Sequence, residues 1–166
     1  LYFPHSSFWI RDYGPIVSNT NSQLKLHNFS YREGLDLENR LSYTLASEGK
    51  YPAESHEVAY DGGNYMSDGE TCLATDNGLD GVSRGKLIDS IKNKIGCSEV
   101  VLIPDAPHDH VDMFAKFIGP QHLLIAQIDE KTLAFLESHG ELTKQTRLTA
   151  MKLESISEAL RHRYRI

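Results

Sequence analysis

The sequence of 166 residues predicts a mixed α/β fold. Three observations carry the prediction. Leu37, Leu41 and Leu45 recur every fourth residue across 35–47, the spacing of one helix face. Leu87, Ile88, Ile91 and Ile95 repeat that stripe across 85–95, where Gly96 stops it. Val100 to Ile103 is an unbroken apolar run ended by Pro104, the pattern of a buried strand.

The remaining elements follow in order. Residues 14–19 read as a short strand after a turn, and 23–31 as a strand with Leu24 and Leu26 alternating before the register breaks between His27 and Phe29. Gly49 and Pro52 close the first helix. Residues 71–76 look like a strand, 111–118 mix apolar and polar without a period, and 123–128 look like another buried strand. A short helix over 131–138 ends near Gly140. A longer one over 143–163 carries Leu148, Met151, Leu153, Ile156 and Leu160 on a broad apolar face. No internal repeat and no shift in composition is visible, so residues 1–166 read as a single domain.

Composition narrows the function. Seventeen basic against 23 acidic side chains give a formal charge of −6. A nucleic-acid binder needs cations to neutralise phosphates, so nucleic acid is not an expected partner. The negative field suits a cationic substrate instead. No run approaches the roughly 18 apolar residues of a membrane span, so no membrane partner is expected. The chain begins at Leu1 without a leader pattern, which leaves its natural start open and favours a cytoplasmic location slightly over a secreted one. Cys72 and Cys97 form neither a framework nor a CxxC pair and read as small buried hydrophobes. The nucleophile elbow, the P-loop and the dinucleotide fingerprint are all missing.

Three constellations carry chemistry. Trp9-Ile10-Arg11-Asp12-Tyr13-Gly14-Pro15 sets an aromatic ring, a cation and a carboxylate against a Gly-Pro turn. A carboxylate beside an aromatic face suits a guanidinium, which takes paired hydrogen bonds and stacks. The plainer alternative is a surface ion pair beside a core tryptophan. Asp61-Gly62-Gly63-Asn64-Tyr65-Met66-Ser67-Asp68-Gly69 offers glycines that let backbone approach a ligand, with Asp68-Gly69 as a hairpin turn; it also reads simply as a Gly-rich loop before a hairpin. In His108-Asp109-His110-Val111-Asp112, an extended chain would put His108, His110 and Asp112 on one face. That face suits acid–base work beside a cation-binding carboxylate, or a metal held by His108, His110 and Asp112, or a plain polar loop. His5, His27, His56, His122, His139 and His162 stand singly and read as surface or satisfied structural residues.

These three stretches, in this order, resemble the guanidino-group-modifying enzymes. Within them the sequence is similar to the agmatine deiminases and the bacterial, Porphyromonas-type peptidylarginine deiminases. Gly62 to Gly69 and Asp109-His110-Val111-Asp112 with Lys116-Phe117 look most like the peptidylarginine branch. The resemblance spans residues 8 to about 128 and implies a pentein-like, pseudo-fivefold α/β propeller of ββαβ-type modules. It implies hydrolysis of a guanidinium to a ureido group plus ammonia through a covalent cysteine intermediate, without metal or organic cofactor. The implied substrate is a small guanidino cation such as agmatine, placing the chain in putrescine synthesis, or arginine in a peptide, placing it in citrullination. Asp12 and Asp112 would grip the guanidinium and His110 would move protons. Asp61 stands where many relatives carry Glu. Asn64 follows in the same motif, Trp9 would wall the pocket, and Arg32 falls where peptide-processing members hold a substrate carboxylate.

One feature departs from the family pattern. Neither Cys72 nor Cys97 has the context of the family's nucleophile, which lies near the C-terminus of chains roughly twice this long. The chain therefore reads as about three of five modules, an incomplete part of a longer propeller, inactive alone and with its cysteine elsewhere. It is expected to associate with itself or with a complementing chain, since an open propeller leaves strand edges unpaired. The alternative is a non-catalytic guanidinium-binding or assembly module of the same fold.

Overall fold

The computed structural model describes every residue except Leu1, Tyr2, Pro4, Arg32, Glu33, Asn77, Gly78, Asp80, Gly81 and Asp109. Strands β1 (Ile16–Thr20) and β2 (Gln23–Ser30) form an antiparallel hairpin; helix α2 (Asp36–Gly49) returns the chain, and β3 (Ala53–Ala59) lies parallel to β2. Preceding them is α1 (Ile10–Tyr13), a single helical turn. The same path is then repeated. A 3-10 turn (Gly62–Asn64) leads into β4 (Tyr65–Ser67) and β5 (Thr71–Thr75), which pair antiparallel. Helix α3 (Arg84–Asp89) runs on as a π-helix over Ser90–Ile95, and β6 (Glu99–Ile103) lies parallel to β5. A third pass has the 3-10 turn Val111–Met113, the hairpin β7 (Ala115–Gly119) and β8 (His122–Ile125), and helices α4 (Glu130–Ser138) and α5 (Lys144–Leu160). There β8 meets Arg165 in one parallel bridge. A repeat thus exists in the topology although none shows in the residues, because each pass fills the same path with different side chains.

Turn chemistry fixes the hairpins. Asn21 and Ser22 both take positive φ between β1 and β2, the geometry that matches strand twist. Asp68 closes the second hairpin: its Oδ1 accepts from the backbone N–H of Glu70 (3.1 Å) and Thr71 (2.8 Å). Its Oδ2 accepts from the N–H of Gln121 at 3.0 Å, tying the second hairpin to the turn of the third. Helix α4 is capped by Asp129 accepting from Thr132 N, and α5 by Thr143 accepting from Thr146 N.

Most predicted elements stand, with bounds moved by one to three residues and the helix over 85–95 divided into α and π parts. Three differ for physical reasons. β3 had no apolar alternation to announce it, because one of its buried positions is His56. The unassigned 111–118 resolves into a 3-10 turn and β7. The strand predicted over 123–128 stops at Ile125, and Ala126 N turns to donate to Phe114 O at 2.7 Å.

The histidines His27 and His56 do not stand singly. His27 Nδ1 lies 3.0 Å from His56 Nε2, with Ser18 Oγ 2.7 Å from His27 Nε2 and Ser90 Oγ 2.7 Å from His56 Nδ1. Phe29 stacks on His56 at 4.2 Å. The cysteines also correct the sequence reading. Both are buried, but they are joined in a Cys72–Cys97 disulfide with Cα atoms 5.9 Å apart. Parallel pairing of Thr71 with Glu99 and Cys72 with Val100 brings Cys97, two residues before β6, alongside β5.

Candidate active site

The helical turn that opens each pass delivers one motif, and the three turns meet. From α1 comes Asp12, from the residue before the second turn Asp61, from the residue before the third turn His110, and from the third turn itself Asp112. His110 sits between carboxylates: its Nε2 lies 3.1 Å from Asp61 Oδ2, and its Nδ1 lies 3.5 Å from Asp12 Oδ1 and 4.0 Å from Asp112 Oδ1. Local sequence explains the approach. A Cβ on Gly62 would lie 2.2 Å from Arg11 O, and one on Gly63 would lie 2.3 Å from His110 Nδ1. The two glycines are therefore needed for α1 and the His110 ring to pack against this turn.

Three carboxylates around one imidazole make a site short of positive charge. Burial raises the Asp12 pKa to about 6, and the negative charge of Asp61 adds to that rise; His110 opposes it, and Asp112 adds further. Asp61 Oδ1 is sealed from solvent with no hydrogen-bond donor among the described residues. A cation placed here would satisfy both. A planar guanidinium suits the geometry better than a point charge, since its N–H pairs can meet carboxylates on different sides.

A metal ion is the other species such donors accept. Among the described residues the set that converges within 4.8 Å is Asp12, Asp61 and His110. It is not the trio His108, His110 and Asp112 that alternation in an extended strand suggests, because residues 111–113 coil into a 3-10 turn.

The other predicted site residues lie as follows. Trp9 is 59% exposed, with its ring 4.8 Å from that of Phe8. Asn64 is buried; its Oδ1 accepts from Thr75 Oγ1 at 2.8 Å and its carbonyl from the Tyr60 hydroxyl at 2.7 Å, so it braces the second turn. Arg32 lies outside the described residues. A cleft of about 820 Å³ runs between β1 and β4, lined by Arg11, Ser18, Tyr65, Ser67 and Lys116 among others. None of the four clustered residues lines it.

The family model for Porphyromonas-type peptidyl-arginine deiminase matches residues 1–160, nearly the whole chain and all three motifs. The chain belongs to the Porphyromonas-type peptidyl-arginine deiminase family. It is 24% identical over 156 residues to an agmatine deiminase of Medicago truncatula, covering 75% of this chain and 42% of that protein. Its fold matches a substrate-bound cysteine-to-serine variant of C. jejuni agmatine deiminase (TM-score 0.73, 18% identity, 99% of this chain and 52% of that one). It also matches the agmatine deiminase of Enterococcus faecalis (TM-score 0.64, 18% identity, 74% and 40%). The mixed α/β, pentein-type fold is thus shared with deiminases, and the chain spans about half the length of the relatives it matches.

For a member of the peptidyl-arginine deiminase family, two contributors escaped the sequence reading. In the sequence Gly63 suggests close approach of backbone to a ligand; in the structure the space it leaves is filled by the His110 ring. For Arg11 the sequence suggests a surface ion pair but not its partner. In the structure its Nε donates to Asp112 Oδ2 at 3.3 Å and its Nη2 donates to Tyr65 O. No local signal could have shown this, since the partner lies 101 residues away.

Proposed function

We propose that this chain is the substrate-gripping part of a guanidino-group deiminase. The observation that carries the reading is His110 held between Asp12 and Asp61, with Asp112 on the Nδ1 side. Asp12 and Asp112 accept N–H groups of a guanidinium and fix its plane, which presents its carbon to a nucleophile. His110 gives a proton to the departing nitrogen and later takes one from the water that replaces it. Asp61 orients the ring from Nε2. The sum is guanidinium plus water giving a ureido group plus ammonium, with no net proton change.

The nucleophile is a cysteine thiolate supplied by polypeptide outside these residues, because both cysteines of the chain are tied in the disulfide. The substrate is the guanidinium of agmatine or of arginine in a peptide. Family membership supports arginine in a peptide, and the named relatives support agmatine.

The test is ureido product formed by the full natural polypeptide on agmatine, free arginine and peptides ending in arginine. Product from at least one, lost in His110→Ala and unchanged by chelator, is the expected result. Binding without product from any of them would instead support a non-catalytic guanidinium-binding module. Loss of product with chelator would overturn the metal-free chemistry.

A further inference from the structure

Arg11 is the one permanent cation within ion-pairing distance of the clustered carboxylates among the described residues. Its guanidinium spans all three passes of the fold: it stems from α1, donates to the carbonyl of Tyr65 at the start of β4, and donates to Asp112 in the third turn. Its own backbone is seated, with Arg11 O packed against the Gly62 backbone so closely that no Cβ fits between.

The contact divides the two oxygens of Asp112. Oδ2 is taken by Arg11 Nε, and Oδ1 is left facing His110 Nδ1 at 4.0 Å. Asp112 needs such a hold. Its side chain is 28% exposed, and a solvent-facing carboxylate is free to turn about its last bond. A guanidinium that also grips a fixed backbone carbonyl removes that freedom, because its planar fork sets the direction of each bond.

We infer that Arg11 is a positioning residue: it orients Asp112 so that one oxygen is presented to the substrate guanidinium beside His110. This rests on the proposed guanidinium site and adds to it the residue that aims one of its two grips. The opposite role on the same contact is that of an internal guanidinium competing with substrate for Asp112. The two differ in sign. Removing a positioning residue weakens substrate binding, and removing a competitor strengthens it.

The test uses the full chain with Arg11→Gln and Arg11→Lys, titrated calorimetrically with agmatine and with 1,4-diaminobutane, a cation of similar length lacking the guanidinium. Agmatine affinity should fall about tenfold or more in Arg11→Gln and less in Arg11→Lys, while diamine affinity changes by less than about twofold. Agmatine affinity that is unchanged or raised overturns the inference, as does equal weakening for both probes, which marks a general structural role. A second readout needs no ligand. In ring-labelled protein, Asp112→Asn should move the His110 nitrogen signals in the wild-type background and not in the Arg11→Gln background. Equal movement in both backgrounds overturns the inference. If the wild type binds no agmatine, the guanidinium site falls, and the His110 signals alone still decide whether Arg11 acts through Asp112.

Discussion

At the scale of single residues, the site is short of a cation and short of space. Asp12 is the residue most altered by that shortage, with burial and then Asp61 carrying its pKa up to about 6. A raised carboxylate favours the protein below its unfolded value and costs stability as pH rises through about 6. The empty site is therefore least comfortable near neutral pH, where a bound guanidinium would relieve it. Space is set by Gly63. The atom that a Cβ there would meet belongs to a ring held on both sides by carboxylates, and such a ring cannot swing away as a flexible chain end would. Gly63→Ala should displace His110 and weaken agmatine binding by at least about tenfold. An alanine variant that bound agmatine normally would show that the His110 position is not what the ligand reads. Asp112 is less enclosed than Asp12, so Asp112→Asn should cost about 1.5–3 kcal/mol of binding, the range for one hydrogen bond to a charged group.

Two elements show how the fold holds the three turns in place. The first is the chain Ser18–His27–His56–Ser90, which links β1, β2 and β3 to the start of the π-helix. A histidine pair bonded nitrogen to nitrogen needs one proton between them, so a second proton is disfavoured. Burial first, then the nearby His56 and Lys25, hold the His27 pKa down at about 4, and burial also lowers that of His56. The charges facing the pair are Lys25, Lys94 and Glu54, with Glu54 in ion pairs to both lysines. Unfolded histidine takes its proton near 6.5 and the folded pair does so only at lower pH. Stability is thus full above about 6.5 and lost as pH falls toward 4. Asp12 acts in the opposite sense over the same range, so the histidine contribution is read in Asp12→Asn, whose melting temperature should drop by several degrees between pH 7 and pH 5; adding His27→Asn should flatten that slope. An identical slope in the variant would place the acid sensitivity elsewhere. The second element is the disulfide, which closes a separation of 25 residues between β5 and the approach to β6. Cys97→Ser should cost about 2–4 kcal/mol of stability, read by denaturant titration under non-reducing conditions. A loss below about half a kcal/mol would mean the pair contributes little to holding β5 and β6 together.

At the scale of the whole molecule, two copies of one path and a third pass without a full parallel strand bring three short turns to one point. Much of this was legible in the sequence. The stripes at Leu37 to Leu45 and Leu87 to Ile95 gave helices because local periodicity is a local property. Asp12, Asp61, His110 and Asp112 stood out because carboxylates and a histidine beside glycines are unusual company, and the structure brings all four together. What stayed hidden depends on long-range pairing. The repeat lies in strand order, β3 buries a histidine in place of an apolar residue, the disulfide follows from parallel register, and Arg11 reaches a partner in another pass. His110 and Asp112 do approach each other, at 4.0 Å, but His108 is exposed and does not join the converging donors, because the chain coils over 111–113 instead of extending.

Asp12, Asp112 and His110 together form the proposed guanidinium site. Its most direct test is a calorimetric titration of this chain with agmatine between pH 5 and pH 8, beside Asp12→Asn. Agmatine should bind at pH 8 and bind more weakly as pH falls below about 6, by up to about tenfold per unit as Asp12 takes its proton. Asp12→Asn should bind weakly at every pH. Affinity that is flat across that range, or equal in the two proteins, would contradict it.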